Sequence, residues 1–88
     1  MEKYFTYITY NYLNNLATIG VTNNLKRRLK LLNQINNKNQ LKLVYFEEFS
    51  NSISATQREA FFKYLQSDVL SEFVLENNPM LINLIVEI

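Results

Sequence analysis

Cysteine, histidine and tryptophan are absent from this 88-residue chain, and glycine and proline occur once each. Without cysteine no disulfide can form, and that composition suits the reducing cytosol. No apolar run approaches the roughly 20 residues that span a bilayer, and the N-terminus lacks a charged segment followed by a long apolar one. We therefore expect a soluble cytoplasmic protein with no membrane partner.

The residues that are present are sufficient for one hydrophobic core. The chain is 48% hydrophobic and 14% aromatic, so a core can be filled without covalent cross-links. A length of 88 residues leaves room for one small domain, which we expect to span residues 1–88.

Charge is balanced overall but uneven along the chain. The net charge is +1, yet residues 1–42 carry seven Lys/Arg against one acid, and residues 43–88 carry two Lys/Arg against seven acids. The first half can attract a polyanion while the second supplies carboxylates for a metal. A solvated surface with unlike ends explains the same pattern equally well.

Hydrophobic periodicity predicts three strands and three helices. The strands are expected at residues 3–10, 16–20 and 41–49, and the helices at residues 24–35, 52–66 and 68–77. Residues 11–15 and 33–40 are predicted loops, and residues 80–88 fit either a strand or a short helix. The predicted fold class is α/β in the broad sense (α+β): a three-stranded antiparallel sheet flanked by helices, in the order β-β-α-β-α-α.

Turn and cap residues mark the predicted boundaries. Gly20 is expected at a sharp exit from the second strand, followed by Thr22 or Asn23 as the cap of the first helix. Ser52 or Asn51 can cap the second helix, Ser67 the third, and Pro79 stops the third. The second helix is expected to turn four residues inward, namely Ala55, Phe61, Phe62 and Leu65.

The first helix is basic and amphipathic. Its apolar stripe is predicted to consist of Leu25, Leu29, Leu31, Leu32 and Ile35. Lys26, Arg27 and Lys30 lie on the opposite face of the helical wheel, but Arg28 falls inside the stripe. A buried guanidinium needs a partner because its desolvation is costly. Either Arg28 pairs with a structural carboxylate, or it lines a concave site that takes an anion.

Four segments in this order resemble the GIY-YIG nuclease family. They are IGVTNNLKRRL at residues 19–29, KLVYFEEF at residues 42–49, the Arg58–Glu59 pair and Asn78–Pro79. The chain is most similar to small stand-alone bacterial members, which resemble the amino-terminal nuclease domain of the excinuclease that acts in DNA excision repair. The resemblance extends over nearly the whole chain and implies the same fold.

The resemblance also assigns roles to individual residues. Tyr7 corresponds to the GIY tyrosine and is implied to act as a general base or to orient the attacking water. Arg28 corresponds to an electrophilic clamp on the scissile phosphate, and Glu59 to the single carboxylate that holds Mg²⁺. Asn78 corresponds to a supporting polar residue near the site.

This sequence departs from the family pattern at two positions. Thr18 stands where the family has the tyrosine of YIG, and Leu32 stands where many members have a histidine. Tyr7 has an ordinary pKa near 10, so it acts as a base only if Mg²⁺ and Arg28 lower that pKa. The Thr18 hydroxyl or a water molecule would have to replace the missing phenol.

Two functions follow from the residues and the resemblance. One is a Mg²⁺-dependent DNA endonuclease of weakened or lost activity, with Lys26, Arg27 and Lys30 neutralising DNA phosphates. The other is a non-catalytic module that keeps the fold and binds nucleic acid or protein. Each candidate also has a structural explanation: a packed Tyr7, a solvated Glu59, an ordinary turn at Asn78, and Arg58 as the structural ion-pair partner.

Overall fold

The computed structural model describes residues 2–36 and 41–87. Three strands, β1 to β3, and three α-helices, α1 to α3, are followed by a short 3₁₀ helix. In chain order these are Tyr4–Asn11 (β1), Leu16–Thr22 (β2), Leu25–Asn36 (α1), Leu41–Phe49 (β3), Ser52–Tyr64 (α2), Ser67–Asn77 (α3) and Leu84–Glu87 (3₁₀). The predicted order β-β-α-β-α-α and the three-stranded antiparallel sheet are confirmed. No helix in the described part of the chain is long and apolar enough to cross a bilayer.

Strand β1 lies at the centre of the sheet, with β2 on one side and β3 on the other. Both neighbours are antiparallel to it, and Tyr7 lies opposite Gly20 on β2 and Phe46 on β3. The pairing with β3 shifts by one residue after Ile8, which is a β-bulge. Because side chains alternate across a strand, β1 supplies residues to both faces of the sheet.

Helices cover both faces of the sheet and produce two core clusters. One face packs against α2 and α3, in a cluster of Ile8, Val44, Phe62, Leu70 and Val74. The other packs against α1 and the 3₁₀ helix, and its buried members are Tyr7, Leu25, Leu29 and Leu43. The second cluster fixes Tyr7 between the sheet and α1.

The C-terminal segment, for which the sequence left strand and helix open, contains the 3₁₀ helix. Leu84 and Ile85 pack against the Tyr7 cluster. The side chain of Asn83 accepts a hydrogen bond from the backbone N–H of Leu43 at 3.1 Å, so this segment also covers the edge of β3. Residue 88 lies outside the described residues.

Several predicted boundaries were wrong. Strand β2 continues through Thr22, so Gly20 lies inside the strand rather than at its exit. The side chain of Asn24, not of Thr22 or Asn23, caps α1 by accepting from the N–H of Arg27 at 3.0 Å. Residues 33–36 are helical, which confirms the helix predicted to residue 35 and contradicts the loop predicted from residue 33. The remainder of that predicted loop, residues 37–40, lies outside the described residues.

At the other two helices, one cap prediction is confirmed and one is wrong. Asn51 caps α2 by accepting from the N–H of Ser54 at 2.8 Å. Helix α3 has Gln66 at the cap position, and the Gln66 side chain makes no capping hydrogen bond. Ser67 is instead the first helical residue.

The inward-facing set of α1 is narrower than predicted. Leu25 and Leu29 are buried, whereas Leu31 and Ile35 are 48% and 70% exposed. Arg28 is exposed as well. One helix lying on a sheet buries only the side in contact, so residues at the margins of a broad stripe remain in solvent. On α2, Phe61 is likewise 46% exposed, although Ala55 and Phe62 are buried as expected.

Arg58 ties α2 to β3. Its Nε and Nη2 donate to Glu47 at 2.8 and 3.0 Å, and its guanidinium lies 4.5 Å from the centre of the Phe62 ring. Glu47 also accepts a hydrogen bond from the Tyr45 hydroxyl. The structural ion pair that the sequence left open for Arg58 is therefore present.

Arg58→Met should lower the free energy of unfolding by about 2 kcal/mol, because it leaves the partly buried Glu47 carboxylate without its charged donor. Urea denaturation measures the loss. Lys3→Met is the matched control, since it breaks an exposed ion pair with Glu48 of 3.6 Å and should change stability by less than about 0.5 kcal/mol. Equal losses in the two variants would contradict the structural role of Arg58.

Tyr45 makes the fold sensitive to alkaline pH. Burial and the hydrogen bond to Glu47 raise the pKa of its phenol to about 12, whereas an unfolded tyrosine titrates near 10. The stabilisation from the neutral phenol is complete below pH 10 and is lost as pH rises from 10 to 12. Tyr45→Phe should therefore show a shallower fall of stability across that interval, and an unchanged slope would contradict this assignment.

Candidate active site

Tyr7 and Gly20 form the centre of the candidate site. They lie opposite each other on β1 and β2, and a Cβ on Gly20 would lie 2.6 Å from Tyr7 Cζ and 3.0 Å from Cε2, in further conflict with the hydroxyl. The Tyr7 ring therefore crosses directly over Gly20. Gly20 has no positive φ, so it serves here to admit a close approach rather than to form a turn.

The Tyr7 phenol is influenced by charges from two different helices. Its pKa is raised, first by burial and then by the negative charge of Glu59, while the positive charge of Arg28 lowers it. Charges act on a group in this way only when they lie near it. Tyr7 of β1 is therefore within electrostatic reach of both Arg28 of α1 and Glu59 of α2, and the catalytic roles of these three residues stay a prediction.

The direction of this pKa shift bears on the chemistry. A general base at neutral pH would need a lowered pKa, but burial leaves the Tyr7 hydroxyl protonated. In this state Tyr7 can donate a hydrogen bond to a water or to a phosphate oxygen.

Arg28 lines an open groove on α1 and is not buried in the core. Among residues 2–36 and 41–87, no carboxylate lies within 4.0 Å of its guanidinium, so the structural partner that the sequence left open is not seen there. With Arg27 and Lys30 it lines a groove of about 490 Å³. An open groove with three basic residues can take an anion.

Lys26 is exposed on the same helix, but it is not one of the residues that line this groove. The Arg27 guanidinium is partly engaged, since its Nη2 donates to Asn23 at 3.4 Å. The three predicted DNA-binding residues Lys26, Arg27 and Lys30 are all exposed on α1, and contact with DNA stays a prediction.

Glu59 and Arg58 are adjacent in sequence but face different surroundings. Arg58 is held against the sheet by Glu47, whereas Glu59 pairs with Lys63 one turn later on α2, at 3.2 Å between Nζ and Oε2. The Glu59 side chain is 23% exposed. A partly shielded carboxylate that is ion-paired and whose charge acts on the Tyr7 phenol has the chemistry of a metal ligand.

Thr18 and Leu32, the two positions at which the resemblance implies a departure from the family pattern, line the same hollow. Thr18 pairs with Thr9 on β1, so its exposed side chain shares the sheet face of Tyr7. Thr18 and Leu32 both line a hollow of about 110 Å³ between the hairpin and α1. Sequence reasoning treated these two departures separately, and the fold makes them one local change.

Asn78 has contacts that favour a structural role. It is 6% exposed, and its Nδ2 donates to the carbonyls of Val44 at 3.1 Å and Ile82 at 2.8 Å. Its Oδ1 accepts from the Ile82 N–H at 3.0 Å. The side chain that the resemblance placed beside the site thus joins the end of α3 to β3 and to the C-terminal segment.

Sequence reasoning missed Lys63 entirely. The signal that could have found it is the four-residue spacing from Glu59, which places oppositely charged side chains together on a helix. Gly20 is the second residue of the site that sequence reasoning missed, because it was predicted only as a turn. Nothing in the sequence indicates which ring lies over that glycine.

Comparison with known proteins agrees with this fold. A family model described as the GIY-YIG catalytic domain matches residues 3–69. The chain therefore belongs to the GIY-YIG family, a nuclease-type family whose nucleases generally use a divalent metal.

A curated relative matches nearly the whole length of the chain. The chain is 31% identical over 91 aligned residues to the UPF0213 protein of Limosilactobacillus reuteri, and the alignment covers 94% of this chain and 94% of the relative. No solved structure gives a significant match.

Proposed function

We propose that this protein is a Mg²⁺-dependent DNA endonuclease whose activity is weakened by the loss of the second tyrosine. The observation that carries the proposal is the position of the Tyr7 phenol over Gly20, under the influence of both Arg28 and Glu59. Phosphodiester hydrolysis needs a positioned water and positive charge where the transition state becomes more negative. These three side chains, brought from separate elements, are the types that supply those needs.

Arg28 is the proposed phosphate clamp. Its guanidinium can donate two parallel hydrogen bonds to phosphate oxygens, which a lysine cannot do. Its exposure and the absence of a carboxylate within 4.0 Å in the described ranges support this role, since an ion-paired arginine would have to lose its partner first.

Tyr7 is proposed to position the attacking water. Because its pKa is raised, its hydroxyl keeps its proton and holds the water by hydrogen bonding. Thr18 lies on the same sheet face, but a threonine hydroxyl is shorter than a phenol and far less acidic. The expected consequence is slow cleavage rather than none.

Glu59 is the proposed metal ligand. No group of three or more His, Cys, Asp or Glu side chains that could enclose a metal occurs within residues 2–36 and 41–87. One carboxylate fits Mg²⁺ all the same, because this ion keeps several waters and takes further oxygen ligands from substrate phosphates. When bound, Mg²⁺ would stabilise the negative charge that develops on the phosphate and leaving oxygen.

Plasmid nicking with and without Mg²⁺ tests the proposal. Arg28→Ala and Glu59→Gln should each lower kcat by about 10² to 10³. Arg27→Ala is the matched control for Arg28, since it removes an adjacent exposed arginine and should mainly raise KM. Nicking that is absent, or unaffected by Arg28→Ala, would contradict the proposed mechanism.

Binding by the basic face of α1 has a separate signature. Lys26→Ala, Arg27→Ala and Lys30→Ala should each weaken binding to every DNA sequence alike and reduce the slope of log K against log salt by about 1. Lys3→Ala, at an exposed site paired with Glu48, should leave the slope unchanged. Failure to bind duplex and branched DNA at low salt would remove nucleic acid as a ligand.

A non-catalytic module is the second candidate function. The observation that favours it is the hollow between Thr18 and Leu32, where both departures from the family pattern meet. Salt-sensitive DNA binding without Mg²⁺-dependent nicking would support this alternative over the nuclease.

A further inference from the structure

The Glu59 carboxylate, which is proposed to hold the metal, already forms an ion pair with a lysine. Lys63 Nζ lies 3.2 Å from Glu59 Oε2, and the two residues are four positions apart on α2. A divalent ion approaching Glu59 therefore meets a positive charge that is bonded to its ligand. The nucleolytic proposal gives this ion pair no role.

The charges of Glu59, Lys63 and Arg28 have a positive sum. Glu59 contributes one negative charge, while Lys63 and Arg28 each contribute one positive charge, and Arg28 acts on the same phenol as Glu59. The three groups sum to +1 before any metal is bound. A divalent ion would raise that local charge to +3, which is unfavourable until a phosphodiester brings negative charge.

The contact of Lys63 with Glu59 can be broken without disturbing the core. The Lys63 side chain is 57% exposed, and it borders a broad open groove of about 770 Å³ between the sheet, α2 and α3. Exposed pairs at this spacing are weak. The ammonium can therefore leave the carboxylate and remain solvated.

We propose that Lys63 is a displaceable counter-cation, which lowers the affinity of Glu59 for Mg²⁺ in the free protein and couples metal binding to DNA binding. This inference rests on the proposed function, because it takes Glu59 as the metal ligand. Lys63 is a positioning residue that acts through Glu59. DNA phosphates lower the local positive charge and give the displaced ammonium a new partner, so metal and DNA favour each other's binding.

Titration with Mg²⁺, followed by ¹⁵N NMR on the full chain, tests the free protein. Amide shifts of α2 and of Tyr7 report binding at Glu59 without requiring any cleavage. Lys63→Met, which keeps the aliphatic stem, should tighten Mg²⁺ binding about threefold to tenfold. Lys63→Arg keeps the charge and should stay within about twofold of the parent.

Two further variants control for charge and for location. Lys3→Met also removes one lysine from a Lys–Glu pair, but that pair joins the start of β1 to the end of β3. The Mg²⁺ affinity of the Lys3→Met variant should therefore equal that of the parent. Glu59→Gln should abolish the α2 shifts in both the parent and the Lys63→Met background. Persistence of those shifts would place the ion elsewhere and overturn the inference.

The coupling is measured by repeating the titration with a short DNA duplex. The Tyr7→Phe background is used because it retains every charge at the site while it slows cleavage. DNA should raise the Mg²⁺ affinity of the Tyr7→Phe variant. In the double variant that also carries Lys63→Met, DNA should raise the Mg²⁺ affinity by a smaller factor.

The outcomes separate this inference from the proposed function. Equal Mg²⁺ affinity of the parent and Lys63→Met, with nicking that depends on Glu59, would overturn the counter-cation role and leave the nuclease standing. No nicking, and no Mg²⁺ shifts in α2 in any variant, would overturn both.

Discussion

Gly20→Ala is expected to lower the free energy of unfolding by about 2 kcal/mol and to displace the Tyr7 phenol. The added methyl group would lie 2.6 Å from Tyr7 Cζ, well inside van der Waals contact. The ring cannot move freely, because Tyr7 is 4% exposed and packs against Leu25 and Leu29 of α1. Thermal unfolding should shift downward by about 8 to 16 °C for a domain of this size.

A second background shows whether the Tyr7 ring causes that loss. In Tyr7→Leu the side chain no longer reaches across β2, so Gly20→Ala should become neutral or slightly stabilising, by up to about 1 kcal/mol. This reversal of sign is specific to the ring contact. A similar loss in both backgrounds would show that some other property of Gly20 is needed.

Gly20→Ala also tests whether the position of the Tyr7 phenol matters for nicking when the chemical groups of the site are unchanged. Gly20→Ala removes no charged or polar side chain, so reduced nicking in a variant that still folds and binds DNA would come from displacement of Tyr7. A displacement of a positioning group by about 1 Å can lower the rate about 10²-fold. Undiminished nicking by folded Gly20→Ala would remove Tyr7 from the proposed mechanism.

Thr18→Tyr is expected to raise Mg²⁺-dependent nicking by about 10² to 10⁴ if the remaining site is competent. Thr18 shares the sheet face of Tyr7 and is exposed, and the adjoining hollow of about 110 Å³ gives part of a phenol ring somewhere to lie. Leu32→His should add to the gain, because position 32 borders the same hollow. The measurement is the nicking rate of each single variant and of the double variant.

Arg28→Ala introduced into the double variant is the control, and it should abolish the gain. Thr18→Ser supplies a second comparison, since it retains a hydroxyl without a ring and should not rescue activity. If Thr18→Tyr with Leu32→His folds normally and cuts nothing, the binding-module function is the one to keep.

The sequence alone determined the order of the three strands and three α-helices. The density of aromatic and β-branched residues at 3–10 predicted β1, and the apolar centre at residues 43–46 predicted a buried third strand. Asn51 and Pro79 marked the start of α2 and the end of α3, because capping and the loss of a backbone donor act within a few residues. Such local effects can be read from a sequence directly.

The surroundings of each helical residue were decided only by the tertiary structure. A helical wheel gives the direction of Arg28 but not the width of the surface that α1 covers, and the sheet covers too little to bury it. The same uncertainty applied to Arg58 and Glu59. Their surroundings differ because Arg58 pairs with Glu47 of β3, whereas Glu59 pairs with Lys63 of its own helix.

The site itself also depended on strand register. The pairing of β1 with β2 sets Tyr7 against Gly20 and Thr18 against Thr9, and a shift of one residue would turn each of these side chains to the opposite face. The sequence could name Tyr7, Thr18, Arg28 and Glu59 through a family resemblance. Only the packed sheet, with α1 on one face and α2 on the other, brings charges from both helices to one phenol, because that proximity arises from contacts between residues far apart in the chain.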